Sequence, residues 1–239
     1  MTAARPPSVV WEWFSDGTAL LIATADALPD EAFREPSLLP DWTRAHVLAH
    51  LARNAEAVAR LAAWAATGVE SRMYPSREVR DEDIEDTAAL APDDIRAEVR
   101  TTAAALDEAM ARIVGAGWDA DLLGAAGNPL PARGVPELRA REVWIHLVDL
   151  DAGITFADLP RDLVTATLAM AADGMSGRDG FPPLHLTPTD LGPERRLGDP
   201  AAEPARVSGP AADLLGWLIG RTAGAALQGD PRPSLPRWI

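Results

Sequence analysis

Residues 141–153 read "REVWIHLVDLDAG", a helical period that stops at Gly153, the residue type that most readily takes the left-handed turn ending a helix. Trp144, Ile145, Leu147, Val148 and Leu150 occupy most of its circumference. A helix that apolar must be largely buried. Glu142 and His146 sit one turn apart on a shared face, so both are buried or line a cleft. Burying an unpaired carboxylate costs several kcal/mol, and Glu142 therefore needs a partner.

The same periodicity recurs upstream. Residues 8–28 carry Val9, Val10, Trp13, Phe14, Leu20, Leu21 and Ile22 on one broad face. The stretch "LPDWTRAHVLAHLARNAEAVARLAAWAATG" opens with Pro40 and a capping residue type at Asp41, and closes at Gly68. Its stripe of Val47, Leu48, Leu51, Ala55, Val58, Leu61, Ala62 and Ala65 follows i, i+3, i+4 spacing. A third helix is expected from about Pro92 to Gly115, with Asp93 and Asp94 at its positive end, and the opening stretch supplies a fourth over roughly 137–152. Four such helices pack as a bundle. Between the second and third, "ESRMYPSREVRDEDIEDT" is charged and too long for a tight turn, so it is either a surface linker or a wall of a site.

After Gly153 the texture changes. A helix near 160–173 gives way to the turn-rich "GRDGFPP" and then to the strand-like runs "LHLTP" and "ARVSG". A last helix, "PAADLLGWLIGRTAGAAL", begins at proline, and the tail "QGDPRPSLPRWI" holds too many prolines for helix. The expected fold class is α+β: a helical bundle over 1–155, then a small α+β domain over 156–239 with a short antiparallel sheet.

Composition narrows the function. The 239 residues carry a net charge of −14, and every basic residue is an arginine. An acidic chain repels phosphate backbones and anionic bilayers, which argues against nucleic-acid and membrane partners. No apolar run approaches the ~20 residues of a membrane span. The N-terminal "MTAARPPSVVWEWFSDG" lacks signal-peptide architecture, so a cytoplasmic location is expected. An anionic small-molecule substrate would need a local concentration of arginine. Cysteine is absent, which removes disulfides, thiolate metal sites and a cysteine nucleophile; any thiol must come from outside the chain. No interface stripe indicates an oligomeric state.

The four histidines are His46, His50, His146 and His185. His46, His50 and Asn54 form an i, i+4, i+8 row beside the apolar stripe of the second helix, while Glu142, His146 and Asp149 run along the fourth. Imidazole nitrogen and carboxylate oxygen suit zinc, and three protein ligands with one open position mark a catalytic site. Glu142 and His146 would supply two ligands, and a histidine of the second helix the third. The plainer alternative pairs Glu142 with Arg139 or Arg141 and leaves the histidines structural.

At this point the residues resemble a known family. "LPDWTRAHVLAHLARNAEA", followed at a distance by "REVWIHLVDL", is similar to the mycothiol-dependent maleylpyruvate isomerases, a branch of the DinB-like metal-binding four-helix bundles. "WAATGVESRMYPSREVRDEDI" looks like that family's inter-helix loop, and "VSGPAADLLGWLIGR" with the terminal "PRW" looks like its C-terminal domain. The resemblance implies zinc held by His50, Glu142 and His146 with water completing the site, mycothiol as the thiol cofactor, and maleylpyruvate from gentisate breakdown as the substrate. It leaves His46 either supporting the site or structural. It also implies that the arginine of "LIGRTAG", Arg221, faces the site and matters for activity, orienting a substrate carboxylate. A mycothiol S-transferase and a non-catalytic metal-binding protein are the rival readings. Asn54 and Tyr74 are candidate cleft residues, and His185 receives no role.

Overall fold

The structure is a computed structural model that describes residues 5–238; residues 1–4 and 239, part of the terminal stretches quoted above, lie outside the described residues. The chain divides between Gly153 and Ile154 into two compact units. No described helix is long and apolar enough to cross a membrane.

The first unit holds α1 (Ser8–Ala27), α2 (Arg44–Thr67), α3 (Arg77–Ala89), α4 (Pro92–Ala111) and α5 (Val135–Asp149). α1, α2, α4 and α5 form the expected four-helix bundle, with α2 packed on both α4 and α5, and α1 packed on α5 and α4. Leu48, Leu51, Val58 and Leu61 of α2 are fully buried in this core. The start of α2 differs from expectation. Asp41 takes a left-handed conformation (φ 67°), and the cap is Thr43, whose backbone N–H donates to His46 Nδ1 at 3.2 Å. Gly68 ends the helix with φ 73°, as its residue type suggested.

The charged segment before α4 is not a plain linker. It contains α3, which begins where the Ser76 hydroxyl accepts the Val79 N–H at 3.3 Å and which packs on α2. Only Ile84, Thr87 and Ala88 of this helix are buried, too thin a stripe for its periodicity to stand out. A hairpin of β1 (Asp121–Leu123) and β2 (Pro129–Pro131) also went unforeseen, because proline argues against strand and is tolerated only at an edge.

α5 is fixed against α1 by Trp144, whose indole N–H donates to the Trp13 carbonyl at 2.8 Å. The indole lies directly over Gly17, where a Cβ would approach its Nε1 to 2.7 Å. Glycine is thus required at this crossing, and the packing helps turn the Glu142 and His146 face of α5 toward α2.

The second unit holds α6 (Arg161–Ser176), β3 (Leu184–Pro188), β4 (Arg195–Leu197), β5 (Ala205–Gly209), α7 (Ala211–Leu218) and β6 (Gln228–Gly229). Its four strands are ordered β4-β3-β5-β6, and α7 packs on β3, β5 and α6. The α+β class stands, but the sheet is mixed rather than antiparallel. β3 pairs antiparallel with β4, yet β5 runs parallel to β3 with Leu184 opposite Ala205 and Pro188 opposite Gly209. β4 returns the chain to the Leu184 end of β3, and the loop through Gly198 then crosses to the other edge, so β5 must start at that same end. The last helix is shorter than expected, since α7 stops at Leu218 and Gly220 and Gly224 take positive φ beyond it.

Candidate metal centre

The polar face of α5 meets the polar row of α2. Glu142 Oε2 accepts a hydrogen bond from His50 Nε2 at 3.1 Å and lies 3.6 Å from His146 Nε2. The two imidazoles stand edge to face with ring centroids 4.6 Å apart. One ligand atom from each of His50, Glu142 and His146 falls within 4.8 Å of the others, a spacing that a single metal ion could bridge. Both histidines are buried, while the Glu142 side chain keeps 31% of its exposure.

Each imidazole is oriented from behind. His146 Nδ1 donates to Asp149 Oδ2 at 2.8 Å, which leaves Nε2 as the ring nitrogen that faces the cluster. Asp149, one turn further along α5, is fully buried. His50 Nδ1 accepts from the Arg80 guanidinium at 3.2 Å, and the Trp42 ring lies 5.7 Å from the His50 ring.

These contacts set the charges. Burial pushes the His50 imidazole down to about 4, despite the opposing hydrogen bond to Glu142. For His146 burial also acts downward, but the hydrogen bonds to Asp149 and Glu142 overcome it and raise the imidazole above its ordinary value. Burial would raise the Glu142 carboxyl; the hydrogen bonds from His146 and His50 win and hold it well below the usual carboxylate range. The cluster thus sets an ionised carboxylate between two ring nitrogens.

The alternative partners of Glu142 are engaged elsewhere. Arg141 pairs with Glu137 at 2.7 Å. Arg139, with 1% of its surface exposed, donates to the Leu51 carbonyl at 2.9 Å and to Asn54 Oδ1 at 2.8 Å. Burial pushes its guanidinium down to about 10. Asn54, on the row with His50, therefore serves to satisfy this buried cation. Tyr74 also interacts with Asn54 and Arg80, and burial raises its phenol. His46 contributes no atom to the cluster: it caps α2 through Thr43 and its Nε2 lies 3.2 Å from Glu85.

Two comparisons with known proteins bear on this arrangement. Residues 14–151 match the model of the mycothiol maleylpyruvate isomerase N-terminal domain, and residues 158–236 match the C-terminal domain of the same proteins. The chain belongs to the mycothiol maleylpyruvate isomerase family. Two crystal structures of mycothiol-dependent maleylpyruvate isomerase, one carrying a histidine-to-alanine substitution, share 31% identity with it. Each superposes with a TM-score of 0.91 and covers 97% of this chain and 96% of its own. No curated protein matches the sequence.

Within this isomerase family member, Arg221 belongs to the second unit and lies beyond the end of α7 rather than inside a helix. Its backbone N–H donates to the Gly216 carbonyl at 2.8 Å, and its guanidinium sits 5.9 Å from the Trp238 ring centroid. His185, on β3, lies 3.1 Å from Glu194.

Sequence reasoning assigned no role to Asp149 or Arg80, the two residues that contact Nδ1 of His146 and His50. For Asp149 a signal existed: a carboxylate three residues after His146 on a nearly all-apolar helix. Arg80 carried none, because it sits among exposed charges on a helix that was itself hidden.

Proposed function

We propose that this chain is a zinc-dependent cis–trans isomerase that converts maleylpyruvate to fumarylpyruvate by reversible addition of the mycothiol thiolate. One observation carries the reading: a Glu142 carboxylate shared by two buried imidazoles from facing helices, in a chain of the mycothiol maleylpyruvate isomerase family. Two imidazole nitrogens and a carboxylate oxygen, with no cysteine in the chain, are a donor set suited to zinc. The Asp149–His146 contact is the carboxylate–histidine support such ligands commonly have.

His50, Glu142 and His146 would hold the ion. Zinc bound there would supply the charge that keeps a thiol ionised at neutral pH, where an ordinary thiol of pKa ~8.5 is mostly protonated. The protein's share is to keep His50 neutral and Glu142 ionised.

The substrate is a dianion whose cis double bond is conjugated to a carbonyl. Thiolate attack on one alkene carbon forms a C–S bond and sends the π electrons to the carbonyl oxygen as an enolate. The former double bond is then single and rotates. Collapse of the enolate expels the thiolate and restores the alkene as trans, so the thiol is neither consumed nor oxidised. We assign Arg221 to a substrate carboxylate, which a guanidinium binds through two parallel hydrogen bonds and thereby orients. The missing cysteine fits this chemistry, because the nucleophile is borrowed.

The test is thiol accounting. After many turnovers the mycothiol concentration should equal its starting value; loss of one thiol per product molecule would instead identify a transferase.

A further inference from the structure

Arg80 contacts the metal cluster from outside, and nothing in the function above uses it. Its guanidinium donates to His50 Nδ1 at 3.2 Å and to Asp81 Oδ1 at 2.7 Å, and it lies 5.8 Å from the centroid of the Tyr74 ring. The side chain retains 27% of its exposure. Tyr74, the only tyrosine in the chain, is half-buried and interacts with both Arg80 and Asn54.

His50 does not hold Arg80 in place once the site is loaded. A guanidinium only donates, so His50 Nδ1 must accept and His50 Nε2 carries the hydrogen it gives to Glu142. An imidazole that lends Nε2 to a metal ion carries its hydrogen on Nδ1, where it faces another donor. The Arg80–His50 contact and metal ligation by His50 Nε2 therefore exclude one another. Of the remaining partners, Asp81 is 51% exposed, so that surface pair is weak, and Tyr74 hydrogen-bonds Arg80 and seats it beside the cluster.

Arg139, also near the cluster, is buried, and its Nη1 donates to Leu51 and Asn54. Loading thus leaves the Arg80 guanidinium at the edge of the site, backed by the Tyr74 ring. A dianion entering a chain of net charge −14 requires such a group.

We propose that Arg80, seated on Tyr74, is a carboxylate-binding residue of this site: metal loading releases it from His50, and it then takes one carboxylate of the substrate. This rests on the isomerase reading for the identity of the substrate. It adds that metal and dicarboxylate bind cooperatively, each tightening the other by the same factor. Arg80 would take one carboxylate and leave the other to a second cation.

The probe is maleate, a cis-alkene dicarboxylate without the ketone, titrated calorimetrically into zinc-loaded and zinc-free protein. Wild type should bind maleate more tightly when loaded. Arg80→Gln should weaken maleate binding to the loaded protein roughly tenfold or more and abolish the coupling, with zinc stoichiometry retained. Arg80→Lys should recover part of the loss, since it restores the charge without the planar fork. In turnover, Arg80→Gln should raise KM more than it lowers kcat. Maleate affinity unchanged by Arg80→Gln, or loss of zinc from that variant, would overturn the assignment. A wild type that binds maleate through Arg80 but does not isomerise maleylpyruvate would sink the isomerase reading and leave the carboxylate subsite standing.

Discussion

His146 Nδ1 lies 2.8 Å from Oδ2 of Asp149, a carboxylate with no exposed surface. The pair ties a candidate ligand to its own helix: Asp149 fixes the imidazole's rotation and tautomer, and Nε2 faces Glu142 and His50. A buried carboxylate is costly to keep, so its placement behind His146 is the strongest sign in the fold that this imidazole's orientation matters.

Replacing Asp149 with Asn keeps the shape and removes the charge. Zinc affinity should fall roughly 10- to 100-fold while the bundle stays folded. Competition against a chelator, with circular dichroism as the folding control, reads both. Unchanged affinity would mean that Asp149 does not support the ligand.

The two histidines should give zinc binding a one-proton pH dependence. His146 is raised, so on acidification through its pKa the metal must displace a proton and affinity falls about tenfold per pH unit. His50, pushed down to about 4, is already neutral there and adds no second proton until the pH approaches that value. Metal-free stability carries the corresponding signs. The His146 contribution is present below its unfolded pKa and is lost as pH rises through the raised one. The lowered His50 costs stability as pH falls from its unfolded value of 6.5 toward 4. Affinity measured below the raised His146 pKa and above the His50 value of about 4 should show a slope near one; a slope of two there would contradict the His50 assignment.

Gly17→Ala should destabilise the first unit by ~1–3 kcal/mol, because the added methyl meets the Trp144 indole and either α1 or that ring must shift. Urea unfolding of metal-free protein measures it. A neutral substitution would show that the α1–α5 crossing is looser than this contact implies.

Arg221→Ala should lower isomerase turnover roughly 10- to 100-fold with zinc content unchanged, the signature of lost substrate orientation. Metal analysis and kinetics on the same sample separate this from damage to the cluster. Unaltered kinetics would remove Arg221 from the reaction.

Much of the candidate site was legible because its residues interrupt strong apolar periodicity. Glu142 and His146 stand out on α5 only because nearly everything around them is apolar, and the His46/His50/Asn54 row stands out on α2 for the same reason. Periodicity could not choose between His46 and His50; the family resemblance selected His50, and the structure brings it to Glu142 while His46 caps the helix through Thr43. α3 escaped because a helix burying only three side chains leaves a charged sequence with no readable stripe. The parallel pairing of β3 and β5 escaped because strand direction follows from where the intervening β4 hairpin leaves the chain, which strand-like runs alone do not encode. Arg80 was hidden twice, by the missed helix and by a contact that exists only in three dimensions.

The most direct measurement follows maleylpyruvate by absorbance in one protein preparation, split into zinc-loaded and chelator-stripped halves, each with and without mycothiol. Turnover is expected only where zinc and mycothiol are both present, and it should vanish in His50→Ala along with the bound zinc. Equal rates in loaded and stripped protein, or isomerisation without the thiol, would contradict a zinc-activated borrowed nucleophile.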